Sequence, residues 1–179
     1  MKKLLWLPLF MFLLLGCKTD MSNTPTKRAE ELLNKYQTLD SEVTNQLANI
    51  IDEEDITTEQ RTKYNDIYKN QYKNMTYTIK DEEINGDEAI VKVEIEVYDY
   101  SKIGNNINEH LSNNPDIFND EEGTYSMSKY TDYKLNLLSE SKDRTKYTLD
   151  LTATKKDGKW IVDSLTETER QKIHGIYES

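Results

Sequence analysis

The stretch Ala89-Ile90-Val91-Lys92-Val93-Glu94-Ile95-Glu96-Val97 decides the fold. Ala89, Val91, Val93, Ile95 and Val97 recur at every second position, with Lys92, Glu94 and Glu96 between them. A period of two belongs to an extended chain, whose successive side chains point to opposite faces; a helix would scatter these five residues around its circumference. The stretch is therefore a strand with one apolar and one charged face. On its N-terminal side Asn85-Gly86-Asp87 is a hairpin turn, preceded by Met75, Tyr77 and Ile79 alternating with Thr76, Thr78 and Lys80. The same grammar returns near the end of the chain. Tyr147, Leu149, Leu151 and Ala153 alternate inward, Lys156-Asp157-Gly158 turns, and Trp160-Ile161-Val162 runs back with Trp160 and Val162 on one face.

Around these hairpins the period changes to that of a helix. Thr24 caps a first helix with Pro25 at its first position, and Ala29, Leu32, Leu33 and Tyr36 share a face. A second starts at Asp40 or Ser41 and buries Val43, Leu47, Ile50 and Ile51. Thr57-x-x-Gln60 is a capping box for a third, with Tyr64, Ile67, Tyr68 and Tyr72 at helical spacing. Helix returns from Ser101 to about Glu140, broken near Asn113-Asn114-Pro115 and Gly123, and again from Thr166 to about Ile176. Helices, hairpin, helices, hairpin predicts an α+β fold: an antiparallel sheet of about four strands packed, roll-like, against N-terminal and inserted helices.

The N-terminus carries an address. Lys2 and Lys3 precede an apolar run of twelve residues, Leu4 to Leu15, which is too short to span a bilayer core of roughly 30 Å as a helix. The run ends Leu14-Leu15-Gly16-Cys17, and this resembles the lipobox of bacterial lipoproteins, in which the cysteine takes a diacylglycerol and becomes the new N-terminus. Cys17 is the only cysteine, so lipidation accounts for an otherwise unpaired thiol. The expected division is residues 1–16 as signal peptide, 17–23 as lipidated cysteine and polar tether, and 24–179 as one domain. Fully extended, the tether reaches only about 25 Å, so the domain should stand close to the outer face of a cell membrane.

A second resemblance covers roughly residues 24–177. The helix opened by Thr24-Pro25 and carrying Leu32-Leu33-x-x-Tyr36 and Leu39-Asp40, and the closing strand Lys156-Asp157-Gly158-Lys159-Trp160-Ile161-Val162, resemble lipoproteins of low-GC Gram-positive bacteria. Their domain is similar to the nuclear-transport-factor-like, or cystatin-like, α+β roll. The resemblance implies a fold and a location. It implies no activity, because that roll hosts enzymes and inert modules alike. This chain departs from the simplest roll by the helical region between its hairpins.

Removing residues 1–16 takes two of the 23 basic residues and none of the 33 acidic ones, leaving a net charge of −12. Such a surface argues against nucleic acid or anionic lipid as a partner. Residues for catalysis are scarce. His110 and His174 are the two histidines, both read as surface or helix-end residues, and neither belongs to a metal-ligand spacing. Three acidic clusters, at Asp52–Asp55, Asp81–Glu83 and Asp116–Glu122, read as solvated loops and none matches a calcium-binding EF-hand loop. No catalytic set, metal site or cofactor is expected. Tyr98 and Tyr100 fall on the wet face of their strand and form the candidate interaction surface, since tyrosine offers contact area at little entropic cost. The expected function is a membrane-anchored extracytoplasmic lipoprotein acting as a non-catalytic binding or protein-interaction module for an envelope protein or glycan. The alternatives are an enzyme using a pocket acid in the roll, or a small ligand-binding lipoprotein.

Overall fold

The alternating segments pair as their periodicity requires. A computed structural model describes residues 22–52 and 54–178. In it β1 (Thr76–Asn85) and β2 (Glu88–Tyr98) form the first hairpin, and β3 (Arg144–Lys156) and β4 (Lys159–Val162) the second. The four strands make one antiparallel sheet in the order β1-β2-β3-β4. Its register stacks the apolar positions: Ile95 faces Tyr77 across β1, and Val91 and Val93 face Leu151 and Leu149 across β3. Val91, Val93, Ile95, Leu149 and Leu151 are buried. On the other face Glu94 bridges Lys80 and Lys146 at 3.2 and 3.4 Å, and Glu96 meets Arg144 at 3.0 Å. Exposed pairs of this kind add little stability, and the apolar alternation sets the register.

The helices cover the apolar face. They are α1 (Pro25–Gln37), α2 (Ser41–Asp52), α3 (Thr58–Asn74), α4 (Ile103–Asn113), α5 (Met127–Glu140) and α6 (Glu167–His174). Their starts are written locally. Thr24 accepts from the Lys27 N–H, the Thr57/Gln60 box makes both of its bonds, and Thr166/Glu169 forms a second box that opens α6. α1 runs against the edge strand β4, beneath which Trp160 is buried beside Ala89 and Ala153. Ile50, expected inside with Val43, Leu47 and Ile51, is 42% exposed; the apolar stripe of α2 is narrower than the sequence implied.

A register shift between Ile79 and Asp81 brings Glu82 opposite Val91, on the helix side of the sheet. There its carboxylate accepts from the Thr26 N–H at 2.8 Å and the Thr26 hydroxyl at 2.6 Å. A negative group thus meets the first turn of α1, where unsatisfied N–H groups and the helix dipole favour it. No described helix is long and apolar enough to cross a membrane. Cys17 and the signal segment lie outside the described residues.

Candidate functional site

α3 borders several clefts, and a buried amide joins two of them. Gln71, fully buried, accepts from the Tyr98 N–H through Oε1 and donates through Nε2 to the carbonyls of Tyr98 and His174. All the capacity of a buried carboxamide is used except one lone pair, which satisfies the rule that buried polar groups be bonded. Gly175 ends α6 in the left-handed conformation (φ 76°), and its carbonyl accepts from the Tyr100 N–H at 2.8 Å. A Cβ at this position would lie 2.1 Å from the Tyr98 carbonyl oxygen. Only glycine permits this approach of α6 to the end of β2.

The first cleft, about 530 Å³, runs along α3 beside the C-terminal end of α5. Glu59, Lys63, Asp66 and Asn70 line it from one side of α3, with Lys142, Tyr98 and Tyr100 among the other lining residues. The helical spacing of these α3 residues puts acids and bases side by side, so the rim carries both signs. The tyrosine rings stack 6.4 Å apart at 17°, and the Arg144 guanidinium lies 5.1 Å from the Tyr98 ring centre. Tyr98 is half-buried and Tyr100 only 4% exposed. Burial pushes the Tyr100 hydroxyl up to about 12, so it remains a neutral donor at physiological pH.

The second cleft, about 540 Å³, lies between α2, α6 and the loop after β4, and Tyr36, Tyr72 and His174 line it. The Tyr72 hydroxyl and His174 Nε2 are 2.8 Å apart. Tyr36 meets Tyr72 edge to face at 5.1 Å, and Tyr68 meets His174 at 5.2 Å. Burial lowers His174 to about 4, the Arg170 charge pushing the same way and Glu167 against it. Burial also raises the Tyr72 hydroxyl. Both shifts favour the neutral form. Proton transfer between Tyr72 and His174 would create two charges where burial penalises each, so burial holds both groups in the neutral, hydrogen-bonded form.

Two placements correct the sequence reading. Tyr100 is not on a wet strand face: β2 ends at Tyr98, the chain turns at Asp99, and Tyr100 drops inward against Tyr68. His174 is the last residue of α6, a helix end as expected, but it is half-buried and its ring packs into the tyrosine cluster. His110 stacks on Tyr133 at 5.0 Å. Among the acidic clusters, Asp120 accepts the Glu122 and Thr124 N–H groups in a turn, Glu82 caps α1, and Asp52 pairs with Arg61. Among the described residues no three His, Cys, Asp or Glu side chains converge in a manner that could hold a metal ion. The buried polar side chains there are Gln60 and Gln71, and no carboxylate is among them. Sequence reasoning missed Gln71 and the Tyr72–His174 pair. The signals were a polar residue within a tyrosine stripe, and nothing at all for a pairing across 102 positions.

No protein-family model matches the sequence, and no curated protein matches it. Among solved structures, a candidate lipoprotein of Bacillus subtilis (ycdA) aligns over 90% of this chain with a TM-score of 0.42 and 16% identity. The alignment takes in 51% of that protein, so the chain spans about half its length. At that similarity the match establishes neither a shared roll nor a shared activity.

Proposed function

We propose that this chain is a lipid-anchored extracytoplasmic protein whose domain is a non-catalytic binding or protein-interaction module, with the α3–α5 cleft as its contact site. The observation that carries the location is Leu14-Leu15-Gly16-Cys17 closing a twelve-residue apolar run, with Cys17 the only cysteine. The binding role is supported by a cleft lined by charges of both signs together with Tyr98 and Tyr100, a mixture that can fix an amphipathic partner's orientation. The alternative, an enzyme using a pocket acid in the roll, calls for a buried carboxylate converging on a cleft. The lone histidine in a cleft, lowered to about 4, is a poor base at neutral pH. Cys17→Ser tests the anchor. The variant should leave the membrane fraction or accumulate as uncleaved precursor, and mass spectrometry of the parent should find acyl chains on Cys17. A variant that fractionates and migrates like the parent would remove the lipoprotein reading.

A further inference from the structure

We infer that the β3–β4 hairpin tip is the surface on which the domain rests against an anionic phospholipid bilayer, which turns the α3–α5 cleft away from the membrane. The inference rests on the lipid-anchor reading and adds an orientation to it.

The tether enters the fold at one defined place. Asn23 donates to the Gly158 carbonyl at 2.8 Å and accepts from the Trp160 N–H at 3.0 Å, so its carboxamide is clamped on the outer edge of β4. Five residues lie between this clamp and the acylated Cys17, and the six steps span at most about 21 Å. Whatever lies beside Asn23 is therefore held near the headgroups.

What lies beside it is basic. Lys155, Lys156 and Lys159 surround the turn, all exposed, and none forms an ion pair with a described residue. Lys156 and Lys159 face each other directly across the two strands. Like charges in that position repel, and here Asp157 at the turn is the one acid between them. Lys155 spends its charge on the Trp160 ring, 5.7 Å away. The adjoining β1–β2 turn carries Asp87 and Glu88, so the positive field is confined to the β3–β4 side of this end. In a domain of strong net negative charge, such a tip is the part a negative bilayer attracts while it repels the rest.

The strand geometry then fixes where the cleft goes. β2 begins at Glu88, paired with Thr154 beside the hairpin tip, and ends at Tyr98 in the cleft. Ten strand steps place Tyr98 about 33 Å from the bilayer end. A partner in the cleft would thus approach from the wall side and not from the lipid.

Trp160 is the only tryptophan beyond residue 16 and sits at the tip, which makes it a native reporter. The lipidated protein is reconstituted into vesicles of phosphatidylcholine, alone or with phosphatidylglycerol, each carrying a dansyl-headgroup lipid. Energy transfer from Trp160 should be about twofold or more stronger with phosphatidylglycerol, and fall with added salt. In Lys156→Glu/Lys159→Glu, which leaves Lys155 on the indole, the gain should vanish while the protein still floats with the vesicles. Lys156→Gln/Lys159→Gln should lose part of it. Flotation retained with equal transfer across vesicles and variants would overturn the orientation alone. Loss of flotation by the parent protein would overturn the anchor and the orientation with it.

Discussion

Two of the clefts that α3 borders have nearly the same volume, about 530 and 540 Å³, and both are built on tyrosine, yet their chemistry differs. In the α3–α5 cleft the rim is charged and Tyr98 remains half-open to solvent. In the α2–α6 cleft a tyrosine and a histidine are driven neutral by burial and satisfy each other. Residue type is not what separates them. The same phenol is a contact surface where water reaches it and a structural hydrogen-bonding group where it does not.

The largest expected effect strikes the knot that both clefts share. Gly175→Ala would put a methyl group 2.1 Å from the Tyr98 carbonyl and 2.5 Å from Gln71 Nε2, in a left-handed backbone that disfavours it. The loss should be about 3 kcal/mol or more, or roughly 6–12 °C in melting temperature. A variant melting within a degree or two of the parent would show that the clefts do not hang from one joint.

A smaller effect separates the clefts by pH. His174 titrates at about 4 in the fold against 6.5 in the open chain, so between these values the unfolded state binds the extra proton. Its contribution to stability is complete above pH 6.5 and is lost as pH falls towards 4, by about 3 kcal/mol at most. Carboxylates also titrate in the acid range, so the measurement is the difference from His174→Gln in denaturant midpoints taken at neutral and at acid pH. The parent should lose more stability on acidification than the variant. Equal slopes would mean that water reaches the His174 ring.

How much of this was legible depended on range. The alternation in β2 and β3, the Thr24 cap and the Thr57/Gln60 box involve neighbours within a few positions, and each stands where the sequence put it. Tyr100 did not, because alternation carries no notice of where a strand stops; the turn at Asp99 is set by Asp143 and Gly175, which bond the Asp99 and Tyr100 N–H groups from distant parts of the chain. The bulge before Asp81 was equally silent, although it converts Glu82 from a presumed loop acid into the cap of α1. Gln71 lies in a polar, lysine-rich helix, and only the meeting of α3, β2 and α6 makes it a fully buried amide. Local pattern carries the elements, whereas the clefts arise from their meeting.

The smallest stability effect is expected at Tyr98, and it bears most directly on the comparison. Tyr98→Ala removes a stacking partner of Tyr100 and the ring over which Arg144 lies, at a cost of about 1 kcal/mol. The domain should stay folded and keep the acid sensitivity of His174, because Gln71 bonds the backbone of residue 98 and not its side chain. The local change should appear at Tyr100. With its neighbour gone, water gains access, and its hydroxyl should titrate below about 12, nearer the ordinary value of 10, as followed by NMR of ring-labelled tyrosine. Function should then part from stability. A photo-cross-linker placed at Lys142 on the cleft rim should capture an envelope component in the parent and lose it in Tyr98→Ala, while a cross-linker at the exposed Ile161 behaves alike in both. Capture from Lys142 that persists in a folded Tyr98→Ala would mean that the tyrosine only packs, and that the charged rim by itself makes the contact.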